Sequence, residues 1–255
     1  MKFYLGEYTY EEVKERIGEV PLVILPMGST EQHGPHLPLD TDIFDAIWAV
    51  EKAMENVSPP KPLILPPLAY GVSLHHQDFP GTISLKPETL ISVIKDIGSS
   101  IFSWGAKVLL IVNGHGGNKP ALLCAAQELH YTYGLLTVVE TGELASYSRQ
   151  EIFETKNDVH AGAYETSTSL ANRPEAVKKE KIQNPELFFP SPFLSLLESS
   201  IPCSFRTREI SSTGVIGQPE CASKEKGETF WNIYIPRLTS LIEDLKGVSY
   251  AYRET

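Results

Sequence analysis

Cysteine is scarce in this chain. The three present, Cys124, Cys203 and Cys221, are an odd number with no C-x-x-C spacing, which suggests neither a disulfide framework nor a thiolate zinc site and fits a reducing compartment. Long apolar runs are missing too. The stretch from Met1 to Glu7 carries polar and acidic residues where a signal peptide needs an uninterrupted apolar core, and no run reaches the length of a membrane span, so a cytoplasmic protein is expected. Positive charge is in deficit, with 22 Lys and Arg against 32 Asp and Glu and a formal net charge of −10. Such a surface repels nucleic acid and anionic membranes and leaves a small molecule as the expected partner. No internal repeat or low-complexity tract interrupts the chain.

What remains is an ordinary globular composition. A chain of 255 residues that is 42% hydrophobic can bury one sizeable core, and a single domain over 1–255 is expected. Pro21 to Pro26 reads as a short buried strand, and the spacing of Ile43, Ala46, Ile47, Val50 and Met54 predicts a helix over 41–56. The alternation recurs. Strands are expected at 62–65, 107–113 and 135–140, with helices over 87–104 and 119–133, the second closed by Gly134. Strands alternating with helices imply a parallel sheet covered on both faces. Between about 178 and 212 the periodicity fails and prolines cluster, so a loop or meander is expected. A last amphipathic helix is predicted over 224–245, with Pro236 expected to kink or divide it.

In open parallel sheets ligands bind outside the carboxyl ends of the strands. The first strand runs into Gly28-Ser29-Thr30-Glu31-Gln32-His33-Gly34-Pro35-His36, and the third into Asn113-Gly114-His115-Gly116-Gly117-Asn118. Glu31 and His33 are two apart and point the same way in an extended loop, and Asp42 opens the next helix where its carboxylate can turn back toward them. With His115 from the neighbouring strand end, these are mixed imidazole and carboxylate donors of the kind zinc, manganese or iron accept. The glycines around His115 permit a sharp turn and close approach to a ligand. A phosphate cradle is the alternative reading of that loop, although neither Walker nor dinucleotide spacing is met. A third cluster runs from Asp158 through His160 to Glu165 and Ser167. A histidine free of metal beside a metal-bound water is suited to carry a proton to a leaving amine, and His160 is the candidate.

Taken singly, His33 or His115 would more often be a satisfied structural histidine, and Asp42 a helix cap. Asp40 and His36 stay with that plainer reading. The convergence of three clusters at strand ends favours a metal site.

The string from Gly28 to Pro38 with Thr41-Asp42 closely resembles the signature of the creatininase (creatinine amidohydrolase) family. So do Asn113 to Asn118, His160-Ala161-Gly162 with Glu165-Thr166-Ser167, Phe79 to Ser84, and Gly214 to Gly217 with Pro219. The resemblance covers nearly the whole chain. It implies a three-layer α/β/α sandwich with a mostly parallel sheet, commonly a homo-hexamer, hydrolysing amide bonds of small cyclic or formylated compounds with one or two divalent ions (Zn, Mn or Fe). It further implies that Glu31, His33, Asp42 and His115 are metal ligands, with Asp42 bridging, and that His160 is catalytic. Ser73, His76, Gly116 and Gly117 are assigned to the substrate side.

Two positions depart from the pattern. The creatininase sequence has a metal-binding glutamate where Gly117 stands, so Glu165 becomes the candidate ligand and catalytic partner for a second ion. It also has a tryptophan where this chain has Lys156, which argues against creatinine. Members with the glycine version include a formamidopyrimidine deformylase and a mycofactocin-maturing peptidase. Lys156 and Arg149 could hold an anionic group, with a solvated surface role as the plainer reading. A non-catalytic metal-binding scaffold and a two-metal phosphoesterase are the readings from other classes.

Overall fold

Two runs of six residues, Leu22–Met27 (β1) and Val108–Asn113 (β3), are buried at every position, which requires cover on both faces of the sheet they form. The structure is a computed structural model describing residues 3–155, 158–189 and 204–248. In it β1 and β3 pair in parallel from Leu22 opposite Val108 to Met27 opposite Asn113. Leu63–Ile64 (β2) flanks β1 and Leu136–Glu140 (β4) flanks β3, both parallel, giving the order β2-β1-β3-β4.

Because successive strand side chains point to opposite faces, each central strand feeds two cores. Leu22, Ile24, Val108, Leu110 and Val112 pack against helix α2 (Thr41–Asn56) through Val50 and Met54, and against α8 (Lys224–Lys246) through Phe230, Tyr234 and Leu238. Val23, Leu25, Leu109 and Ile111 face the other way, onto α3 (Pro87–Ser103), α4 (Lys119–Tyr133) and Ile17 of α1 (Tyr10–Glu19). The result is an α/β/α sandwich, in which each fully buried aliphatic side chain contributes about 1.5–3 kcal/mol. Three further helices, α5 (Ser146–Phe153), α6 (Ala163–Asn172) and α7 (Thr207–Ile210), lie among the connections after β4. No described helix is long and apolar enough to cross a membrane.

Several details differ from the expectation. Pro236 sits inside α8 without dividing it, because Trp231 and Tyr234 before it and Leu238 and Ile242 after it are all held in one core. The segment expected to be a meander holds a 3-10 turn at Lys179–Lys181, a bridge between Leu187 and Ser211, and α7. Residues 190–203, with three of the prolines behind that reading and Cys203, lie outside the described residues. Cys124 and Cys221 are free and exposed.

The connection from β1 leaves over α2 toward β2, whereas that from β3 leaves over α4 toward β4. The carboxyl ends of β1 and β3 therefore border the switch point of the sheet, the place where a crevice opens in such folds.

Candidate metal centre

Glycine brings the first turn of α2 against both strand ends. A Cβ on Gly28 would stand 2.4 Å from Ile43 N, and one on Gly114 would stand 2.1 Å from Asp42 O. Only hydrogen at both positions lets the helix start this close, and the Asp42 side chain then lies between the β1 and β3 loops. Gly114 thus serves packing against Asp42, a use that the phosphate-cradle reading does not require. Asn118 ties the loops together: its Nδ2 donates to Gly28 O (3.0 Å) and Asn113 Oδ1 (2.9 Å), and its Oδ1 accepts from Val72 N (2.7 Å).

Glu31, His33, Asp42 and His115 meet there, all buried. His115 Nδ1 lies 3.3 Å from Glu31 Oε1 and 3.1 Å from Asp42 Oδ2, while its Nε2 lies 2.9 Å from the Val72 carbonyl. His33 Nε2 lies 3.1 Å from Asp42 Oδ1 and 3.7 Å from Glu165 Oε2, while its Nδ1 lies 3.2 Å from the Glu31 carbonyl. A carbonyl only accepts, so in each neutral ring the proton belongs on the nitrogen facing the backbone. The other nitrogen turns a lone pair toward carboxylate oxygens. Among the described residues both oxygens of Glu31 and Oδ2 of Asp42 have no hydrogen-bond donor. Buried carboxylates facing imidazole lone pairs are unfavourable unless a cation lies among them.

The titration of these groups says the same. Burial alone would depress His33, but Asp42, Glu165 and Glu31 reverse it and raise the imidazole to about 10. His115 is lifted well above its usual value, again against burial, by Glu31 and Asp42. Burial pushes Asp42 and Glu31 upward, and the imidazoles around them pull both below the usual carboxylate range. The cluster therefore attracts positive charge. Glu31, Asp42 and His115 offer one compact donor set, and His33 and Glu165, with His160 beside them, line another. Asp42 directs one oxygen toward His115 and the other toward His33. These donors fit a divalent ion of the zinc, manganese or iron type.

His160 holds its Nε2 2.7 Å from the Gln32 carbonyl, which leaves Nδ1 as the free nitrogen, 3.6 Å from Glu31 Oε1. Burial and the neighbouring His33 lower its pKa, so the ring is neutral. His76, assigned from sequence to the substrate side, is buried with Nε2 3.4 Å from Glu31 Oε1. Its tautomer follows from Gln32. The Gln32 Oε1 accepts from Gly34 N and its Nε2 donates to Gly214 O, so that amide also donates to His76 Nδ1 at 2.8 Å. A neutral His76 then carries its proton on Nε2, so that nitrogen approaches Glu31 Oε1 at 3.4 Å without forming a hydrogen bond and offers no lone pair to a metal. Ser73, also assigned to substrate, is fully buried with its hydroxyl against Ser29 and 3.4 Å from His115 Nε2. His36 bonds Thr166 Oγ1 at 2.8 Å and Asp40 pairs with Arg173 at 2.8 Å.

The departure at Gly117 has a steric reason. A Cβ there would stand 2.4 Å from His115 Nε2 and 2.5 Å from Val72 O, in the space of the bond between them. No side chain, glutamate included, fits without moving that pair. Glu165, near the start of α6, instead points its Oε2 at His33 and accepts from Ala161 N.

Beside Asp42 and Glu165 opens a cavity of about 140 Å3, with Gly116, Arg149, Tyr164 and Tyr234 in its walls. Of these the sequence singled out Gly116 and, as a possible anion holder, Arg149; Lys156 lies outside the described residues. Tyr164 and Tyr234 were missed, and so was His75, which stacks on His115 with ring centroids 5.7 Å apart. The pair His75-His76 just before the Phe79-Pro80-Gly81 match was the available signal.

The sequence profile of the creatininase family, creatinine amidohydrolase, matches residues 6–242. The mycofactocin precursor peptide peptidase of Mycolicibacterium smegmatis is 34% identical over 212 residues, covering 82% of this chain and 79% of that one. A creatininase-type crystal structure from Bacteroides fragilis superposes with a TM-score of 0.85 at 28% identity, covering 98% of this chain and 99% of the other. A creatininase structure with Mn superposes with a TM-score of 0.80 at 25% identity, covering 97% and 100%.

Proposed function

This chain belongs to the creatininase family of hydrolases, and on that premise we propose that it is a metal-dependent amidohydrolase cleaving a carbon–nitrogen bond of a small, non-peptide amide. The observation that carries the reading is the buried Glu31 carboxylate, without a donor to either oxygen, set against the lone-pair nitrogen of His115 with Asp42 alongside. Glu31, His33, Asp42 and His115 would hold the ion or ions, and Glu165 would complete a second position. The Mn in a similar creatininase supports manganese as one candidate beside zinc and iron. When bound, such an ion acidifies a water and polarises the amide carbonyl.

The chain's own groups do the rest. Nδ1 of the neutral His160 accepts a proton on the attacking side and gives it to the departing nitrogen, which would otherwise leave as an amide anion. The Gln32 carbonyl holds that ring in the required tautomer. His76, with its proton on Nε2, places the positive end of an N–H dipole beside the Glu31 carboxylate.

A second reading, cleavage of a short peptide, is favoured by the 34% identity to a peptidase, against 25% to the Mn creatininase. One experiment serves both. Protein stripped of metal and reloaded with Mn, Zn or Fe is assayed on creatinine for ring-opened creatine, on formylated pyrimidines for formate, and on short peptides for new amino termini. Turnover that disappears with chelator and returns with metal is expected. Full metal loading without hydrolysis of any amide would overturn the reading in favour of a scaffold, and phosphate release from an aryl phosphate would point to a phosphoesterase.

A further inference from the structure

Arg149 lines the cavity beside Asp42 and Glu165, and nothing in the proposed chemistry uses it. Its guanidinium carbon lies over the Tyr164 ring, 4.0 Å from the centroid, and one nitrogen donates to the Asp158 carbonyl at 3.1 Å. A guanidinium has five N–H donors, and among the described residues no carboxylate forms an ion pair with this one. The Asp158 carboxylate is near enough to feel the charge, but it accepts from Tyr164 N at 2.9 Å and from Thr155 Oγ1. Asp45, in the same cavity wall, is committed to Thr168 Oγ1 and Asn172 Nδ2, at 2.8 and 2.7 Å. Among the described residues the cation is thus held by the Tyr164 ring and a backbone carbonyl, with no further hydrogen-bond acceptor for its donors, in a cavity that Asp42 and Glu165 also line.

We propose that Arg149 is a specificity-determining residue: it binds a carboxylate carried by the substrate, so that the preferred substrates are amides of amino acids and related acids rather than neutral amides. The proposal rests on the hydrolase reading for its choice of substrate class. The 140 Å3 cavity is close in size to the roughly 150 Å3 engineered cavity that admits benzene, so it takes one compact group. An Arg–carboxylate contact is planar and often bidentate, which fixes the orientation of that group as well as attracting it. With the carboxylate held at Arg149, the amide of a compact N-acyl amino acid lies within the cavity that Glu165 and Asp42 also line.

The test compares N-formylglycine with N-formylglycinamide, which differ in the carboxylate alone, on metal-loaded protein. Binding is measured by calorimetry and hydrolysis by release of formate. Wild-type protein is expected to bind N-formylglycine about tenfold tighter or more, the effect of a charge-assisted hydrogen bond. Arg149→Met is expected to abolish the preference with metal content unchanged, and Arg149→Lys to keep part of it. Equal binding of the two probes, absence of binding by N-formylglycine, or a preference that survives in Arg149→Met would each overturn the proposal. Should the Met variant fold poorly, a preference undiminished in the Lys variant would count against it in the same way. An Arg149-dependent preference without hydrolysis of any amide would instead overturn the hydrolase reading and leave the anion site standing.

Discussion

His115 directs Nδ1 at Asp42 Oδ2 across 3.1 Å, and in the neutral, ionised pair neither atom carries a proton to place between them. The His115 proton is committed to the Val72 carbonyl on the opposite edge of the ring. Repeated at His33 with the other Asp42 oxygen, this arrangement makes Asp42 the hinge of the site.

Asp42→Asn is therefore expected to empty both positions, whereas Glu165→Gln lowers occupancy of one. Substitutions outside the coordinating set typically cost 10–100-fold in metal affinity, so the loss in Asp42→Asn should exceed roughly 100-fold. Metal analysis by mass spectrometry after dialysis against a graded chelator reads both. Full loading of Asp42→Asn would remove Asp42 from the donor set.

His160→Ala should bind metal as the wild type does and lose turnover by about 10²–10⁴-fold, the usual contribution of a positioned acid–base group. Loss of metal together with activity would reassign His160 to the donors.

The dependence on pH has a defined sign. In metal-free protein His33 is raised to about 10 and His115 is also raised. Their stabilisation is fully present below the unfolded value near 6.5 and is lost as pH climbs through the folded values. Asp42 and Glu31, held low, stabilise above the ordinary carboxylate range and lose that contribution as pH falls. Thermal melts of stripped protein should therefore show the histidine contribution declining from about pH 6.5 toward 10. Metal displaces those protons, so titration with zinc or manganese near pH 7 should release protons into the buffer. Calorimetric heats that do not change with buffer ionisation enthalpy would contradict this.

Gly117→Glu, which restores the residue found in creatininase, should lower metal content rather than add a ligand. Its Cβ would stand 2.4 Å from His115 Nε2 and 2.5 Å from Val72 O. A gain of one ion per chain in this variant would show that the loop can open to accept the side chain.

The layered fold and the four expected strands were legible because β1 and β3 are unbroken apolar runs and their helices show one apolar face. Helix α1 escaped because Ile17 is its one buried residue, although Thr9 and Glu12 form a capping box that the sequence does announce. Helix α5 buries only Phe153. Glu31, His33, Asp42 and His115 could be read because strand ends and a helix start converge at the switch point. Tyr164 and Tyr234 could not be placed in the cavity, because they reach it from helices far along the chain whose spacing signals only packing. The tautomers of His76 and His160 depend on the side-chain amide and the backbone carbonyl of Gln32, neither of which any motif spacing reveals.

The central claim is that Glu31, His33, Asp42 and His115 share bound divalent metal. Crystals grown with manganese or zinc and measured on both sides of the metal absorption edge test it most directly. The account predicts an anomalous peak within bonding distance of Glu31, Asp42 and His115 Nδ1, with any second peak beside His33 Nε2 and Glu165. A map with no peak among these donors, or with the ion bound elsewhere, would contradict it.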